Sequence, residues 1–234
     1  MGSFSDWLHA NRLVRQAGYA LSSKIGKRLR TAPNRRYFLS DFPHDSVCAE
    51  IGVFRGEWTR HVLEVTRPKE LHLIDVWWEL YGEVFPNWGS YTEFGQLGTR
   101  RAYDDTQRVI AQTATRRTKV VTHVGVDCEI LETFPDAYFD WVYLDTSHTY
   151  DDTIKELEVL SRKVKPDGFI AGDDWLDDDD PQAEWNGGCG VAIYDFCMAN
   201  NWIVDRRDNF NQWRISRRTV APGSRPVPTT TDVG

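Results

Sequence analysis

Two stretches place ionisable side chains where apolar runs end. In "VYLDTSHTYDD", Asp145 closes the most apolar run of the chain and His148 follows three residues later, while in "FIAGDDW" the pair Asp173 and Asp174 closes another run. If the two runs are neighbouring strands, about 4.8 Å apart, Asp145 lies beside the Asp173–Asp174 pair. Carboxylates that close repel one another unless protonated or bridged by a cation. A hard divalent ion such as Mg2+ suits oxygen ligands and keeps positions open for a substrate. Consecutive strand residues face opposite sides, so Asp173 and Asp174 can both be ligands only where the chain is already turning, which Gly172 eases. The competing reading is a solvated acidic loop. Asp177 to Asp180 have no partner motif and fit a solvated rim or a cap on the next segment better than catalysis.

Two further run ends carry chemistry-bearing residues. In "EIGVFRG", Glu50 ends a run, Gly52 opens a turn through Val53, Phe54 and Arg55, and Gly56 leads into helical spacing. The glycines allow close approach of a ligand, and a helix N-terminus offers free N–H groups to an anionic one. The same turn could be purely structural. With Phe54 and Arg55 in its middle the fingerprint G-x-G-x-x-G is missing, which disfavours a pyrophosphate loop. Asp75 closes "LHLIDVW", where an acid can accept hydrogen bonds from a ribose or cap the next segment.

The elements that must position these residues alternate. From "SVCAEIGV" onward, strand-like runs alternate with helical ones: "GEWTRHVLEVT", "ELHLIDVW", "TKVVTHVG", "CEILETF", "YFDWVYLD", "TYDDTIKELEVLSRKV", "GFIAGDD" and "GVAIYDFCMANN". Near-continuous apolar runs suit strands covered on both faces, so the fold class is α/β, a Rossmann-like, doubly wound, mostly parallel sheet. "WIVDRR" and "NQWRIS", separated by "DNF", predict an antiparallel hairpin at one edge. Residues 77–99 interrupt the rhythm with seven aromatics among glycines and Pro86, either a lid or an excursion whose rings pack on the domain or on another subunit. Residues 1–40 form a helical N-terminal extension, 41–216 the main domain, and 217–234, rich in Pro and Thr, a disordered tail.

Composition narrows the classes. The 41% hydrophobic content is that of a globular chain, and the net charge of −7 hides eight Lys/Arg against Asp6 within residues 1–40. That arm could bind nucleic acid or an anionic surface, or pair with the acidic body of its own chain or a neighbouring subunit. No nucleic-acid motif accompanies it, so nucleic acid is disfavoured and a homo-oligomer is expected. No run is long enough for a membrane span and no secretory signal opens the chain, which places it in the cytoplasm. Four cysteines without C-x-x-C spacing read as reduced thiols, with a Cys189–Cys197 disulfide as the alternative.

"CAEIGVFRGEWTRHVLEVT…ELHLIDVW" and "FDWVYLDTSHTYDDTIKELEVLSRKVKPDGFIAGDDW" resemble the class I S-adenosylmethionine-dependent methyltransferases, and more narrowly the metal-dependent O-methyltransferases of the macrocin and mycinamicin type, which modify natural-product sugars. The middle glycine of the family's acid-x-Gly-x-Gly-x-Gly motif is replaced here by Phe54. The resemblance implies S-adenosylmethionine and Mg2+ as cofactors. It implies that Glu50 and the turn Gly52, Val53, Phe54, Arg55, Gly56 hold the methionine end, that Asp75 holds the ribose, and that Asp127 and Cys128 hold the adenine, with Asp145 at the donor site as well. Asp145, Asp173 and Asp174 would be the metal ligands, and His148 the general base, a position that some members fill with an aspartate. The implied acceptor is a small-molecule hydroxyl on a sugar. The alternatives are a phenol or catechol acceptor, a Rossmann-type NAD-dependent oxidoreductase, and a noncatalytic assembly protein.

Overall fold

The computed structural model describes residues 35–175 and 188–218. Expectations for the arm at 1–34, for the acidic run at 177–180 and for the tail beyond 218 lie outside the described residues. Among the described residues one sheet holds β1 (Val47–Ile51), β2 (Glu70–Asp75), β3 (Lys119–Val124), β4 (Phe139–Leu144), β5 (Val164–Gly172), β6 (Trp202–Arg207) and β7 (Trp213–Arg217) in the order β3-β2-β1-β4-β5-β7-β6. The first five strands are parallel, and β7 runs antiparallel to both β5 and β6. This is the mostly parallel sheet with a C-terminal hairpin that the sequence predicts.

Helices α1 (Glu57–Thr66), α2 (Trp77–Tyr81), α3 (Thr99–Thr113), α4 (Asp127–Glu132), α5 (Tyr150–Lys163) and α6 (Cys189–Asn200) complete the fold. Alternation along β4 divides the core. Val142 and Leu144 pack with Leu157 and Leu160 of α5 and with Ile193 and Phe196 of α6. Trp141 and Tyr143 face the opposite layer, with Trp58, Val62 and Leu63 of α1 and Ala102 of α3. Burial on both faces explains the near-continuous apolar runs. Phe38, Leu39 and Phe42 are also buried in that second layer, so apolar packing begins ahead of residue 41.

Helix α5 is set by its ends. Thr149 caps it by accepting the Asp152 amide at 3.3 Å, and the Asp152 carboxylate accepts the Thr149 and Ser147 hydroxyls at 2.8 Å. Asp151 and Asp152 lie in its first turn and Arg162 and Lys163 in its last, each sign complementing the helix dipole. Helix α3 is not evident from the sequence pattern, because its buried stripe is Thr99, Ala102, Thr106 and Val109 rather than large apolar residues. In residues 77–99, Trp77 and Phe85 are buried while Trp88, Tyr91 and Phe94 stay partly exposed, so the segment is half core and half surface. All four cysteines are free thiols. No helix among the described residues is long and apolar enough to cross a membrane.

Candidate active site

The strand register lines up the sequence-predicted residues in one row. Ile51 pairs with Ile74 on one side and Leu144 on the other, and Leu144 pairs with Gly172. The next residues, Asp75, Gly52, Asp145 and Asp173, therefore follow one another across the carboxyl edge of β2, β1, β4 and β5. Cross-strand amide bonds continue there: Gly52 N–H to Ile74 O at 3.0 Å, Asp145 N–H to Ile51 O at 2.8 Å and Asp173 N–H to Leu144 O at 3.1 Å. Strand order reverses between β1 and β4, which is where open α/β sheets form their ligand crevice.

Asp75 organises the turn after β1. One carboxylate oxygen accepts the Phe54 amide at 2.7 Å and the other the Trp77 amide at 3.0 Å. Both donors have positive φ, 54° at Phe54 and 32° at Trp77, conformations unusual for bulky residues and retained only when the surroundings impose them. The Trp77 indole N–H closes the loop by donating to Phe54 O at 2.9 Å. Burial raises the Asp75 carboxyl above its usual range, with these amide bonds opposing the shift. Val53 O accepts the Gly56 amide at 2.9 Å. Thr106 of α3 packs under Gly56 and donates its hydroxyl to Phe54 O at 3.3 Å. The Arg55 guanidinium is taken up by Asp105 of α3, at 2.7 and 2.6 Å.

Glu50, inside β1 on the α1 side, is 1% exposed, with Thr59 of α1 as the hydrogen-bonding residue beside it. Burial, aided by Asp145 and Asp75 and opposed by hydrogen bonding from Thr59, pushes its carboxyl well above the ordinary range. A carboxyl this deeply buried is costly to ionise, so its position suits a cationic or hydrogen-donating ligand group.

Beyond the switch point, Asp145, His148 and Asp174 each offer a ligand atom within 4.8 Å of the others. His148 Nε2 lies 3.4 Å from Asp145 Oδ1 and 3.3 Å from Asp174 Oδ2. Burial works to lower the histidine's pKa, but Asp145, Cys189 and Asp174 outweigh it and hold the pKa well above the usual value. The hairpin sets this geometry. The Trp213 indole donates to Asp173 O at 2.8 Å, and the Trp175 amide donates to Asn211 O at 2.8 Å, gripping the chain on either side of Asp174. Asp174 and His148 both have left-handed backbones, with φ of 55° and 58°. The triad thus brings together Asp145, Asp174 and the expected base His148, while Asp173, 3% exposed, stands outside it.

The adenine candidates open α4. The Asp127 carboxylate accepts the Cys128 amide at 2.6 Å, and burial followed by Asp127 pushes the Cys128 thiol up to about 12. Sequence reasoning missed Glu156 of α5, 3% exposed and within reach of Asp127 and Thr146. The available signal was an acid on the inward stripe Thr153, Glu156, Leu157, Leu160 of an otherwise amphipathic helix.

The sheet order and this acid-lined crevice define the fold of the S-adenosylmethionine-dependent methyltransferases. Residues 49–175 match the model of a family described as "Methyltransferase domain", and the chain belongs to that family. Among solved structures, it is similar to the S-adenosylhomocysteine-bound methyltransferase PaMTH1 of Podospora anserina, at 17% identity and TM-score 0.51, covering 79% of this chain and 76% of that one. It is also similar to a methyltransferase of Aquifex aeolicus, at 15% identity and TM-score 0.52, covering 84% of this chain and 96% of that one. The mitomycin 7-O-methyltransferase MmcR matches at 16% identity and TM-score 0.53, over 92% of this chain but 61% of its own length. No curated protein matches by sequence.

Proposed function

We propose that this chain is a cation-assisted O-methyltransferase that moves a methyl group from S-adenosylmethionine to a hydroxyl of a natural-product sugar or similar small molecule. The observation that carries this reading is the Asp145–His148–Asp174 triad, set on the same edge as the Gly52 turn and Asp75. The residues fit both absent groups. The buried carboxyl of Glu50 suits the ammonium of the donor's methionine end, and the Asp75 carboxylate, at the end of β2 beside the turn, suits ribose hydroxyls. The two carboxylates, Asp145 and Asp174, form an oxygen donor set for a divalent cation such as Mg2+ or Mn2+.

Asp145 and Asp174 would hold the cation, whose chemistry when bound is to acidify an acceptor hydroxyl and to offset the carboxylate charge that favours the protonated form of His148, leaving the imidazole unligated. His148 Nε2 is the atom placed to take the hydroxyl proton, and the flanking carboxylates then stabilise the imidazolium. Glu50, Asp75 and the Gly52–Gly56 turn orient the donor for in-line attack, in which the O–CH3 bond forms as the S–CH3 bond breaks. Partly exposed Trp88, Tyr91 and Phe94 also favour a second reading, in which the acceptor is a phenol.

The test is calorimetric titration with S-adenosylhomocysteine, with and without Mg2+ or Mn2+, together with turnover on sugar and phenolic acceptors. The Asp145→Asn, Asp174→Asn double variant should bind the product and lose metal-dependent turnover. Retained metal-dependent turnover would sink the cation assignment, and selective binding of NAD would sink the whole reading.

A further inference from the structure

The crevice mechanism leaves one buried titratable group unused. Glu156 sits on the inward side of α5, where neighbouring positions are Leu157 and Leu160, yet it is a carboxyl that is 3% exposed and its Oε2 has no hydrogen-bond partner. Within its hydrogen-bonding reach are Asp127 at the start of α4 and Thr146 in the loop between β4 and α5. A buried glutamate facing an aspartate is tenable only if one proton is shared between them. We propose that Glu156 is a positioning residue: as the neutral acid it donates a hydrogen bond to Asp127 and so fixes the carboxylate that reads the donor's adenine, while Thr146 ties it to the loop carrying Asp145 and His148.

This rests on the donor reading proposed above and on the adenine role that the resemblance implies for Asp127. The electrostatic surroundings agree with it. Burial, followed by the hydrogen bond and charge of Asp127, pushes the Glu156 carboxyl up to about 9, against opposing effects of Thr146 and the His148 charge. The other ionisable group facing it is Cys128 of α4, which remains a thiol because its own value is about 12. Near neutral pH Glu156 is therefore a donor. Once it ionises, two carboxylates face each other and Asp127 is driven from its place.

The experiment measures binding of 5′-deoxy-5′-methylthioadenosine by calorimetry, without metal, between about pH 7 and pH 10. This probe keeps the adenosine half of the donor and lacks the amino acid, so it brings no titrating group of its own to the range. If only the protonated form binds well, a carboxyl at about 9 leaves roughly a tenth of the protein competent at pH 10, and affinity falls about tenfold. Glu156→Gln keeps a donor that cannot ionise, so it should bind within about threefold of wild type at pH 7 and stay flat to pH 10. Should that variant not fold, Asp127→Asn removes the repulsion from the more exposed partner and should bind more weakly but without the alkaline loss. Wild-type affinity that is flat to pH 10, or that falls equally in both variants, overturns the proposal. Wild-type protein that fails to bind the nucleoside even at pH 7 overturns the donor assignment along with it, whereas binding without the pH difference removes the role of Glu156 alone.

Discussion

Gly52 and Asp145 meet backbone to backbone at the switch point of the sheet: a Cβ built on Gly52 would lie 1.7 Å from the Asp145 carbonyl oxygen and 2.5 Å from its carbon. The glycine also has φ of 82°. Neither feature can relax without parting β1 from β4 at the edge where donor and triad residues converge. Gly52 is therefore required by the crossing of two strands as much as by any ligand.

Gly52→Ala should accordingly cost about 2–5 kcal/mol, from roughly 1–3 for overpacking and roughly 1–2 for the left-handed backbone. Gly56→Ala, whose Cβ would meet Thr106 at 3.1 Å with φ of 73°, should cost less, about 1–2 kcal/mol. Urea unfolding of the two variants checks the order. A loss below about 1 kcal/mol for Gly52→Ala would show that the strands can part there.

On the far side of the sheet, His72 and His123 share a hydrogen bond, with Nδ1 of one 2.9 Å from Nε2 of the other. Burial, and for His72 also the neighbouring His123, holds both imidazoles below the usual histidine value. Below about pH 6.5 the unfolded chain thus binds more protons than the folded one, and this pair's contribution, complete above that value, is lost as pH falls. Glu50 and Glu156, whose carboxyls are raised, act in the opposite direction over the same range. The histidine effect is therefore read as a difference. His72→Phe, suited to the Phe134 and Phe139 rings around it, should gain stability relative to wild type as pH falls from about 7.5 to 5.5. A constant difference in urea midpoint across that range would contradict the neutral pair.

The sheet was legible because strands covered on both faces are written as unbroken apolar runs, and because hairpin spacing separates β6 from β7. The row of Asp75, Gly52, Asp145 and Asp173 was legible too, since each follows such a run. What escaped depends on side chains acting across elements. Helix α3 was hidden because threonines form its buried stripe. That the triad takes Asp174 with His148, leaving Asp173 outside, depends on Trp213 and Asn211 gripping the chain around Asp174, a contact between residues far apart in sequence. Glu156 is one acid among several on a charged helix, and only packing fixes it on the inward face.

The aromatic segment joins the donor turn to the surface, and that chain of rings yields the last prediction. Trp88 packs on Tyr81 and Phe85, with centroids 5.3 and 5.6 Å away, and Phe85 packs on Phe54 at 5.1 Å. The Phe54 amide is held independently by Asp75, so trimming Trp88 should leave the donor turn in place. Trp88 is 47% exposed, more than a ring serving only as core would be. If it walls the acceptor pocket, Trp88→Ala should raise the acceptor KM about tenfold, the loss of one aromatic contact worth roughly 0.5–1.5 kcal/mol together with its buried area. Affinity for S-adenosylhomocysteine should stay within about twofold. An unchanged KM with a lower unfolding temperature would instead assign the ring to packing, and the acceptor would have to be sought on the α6 side of the triad.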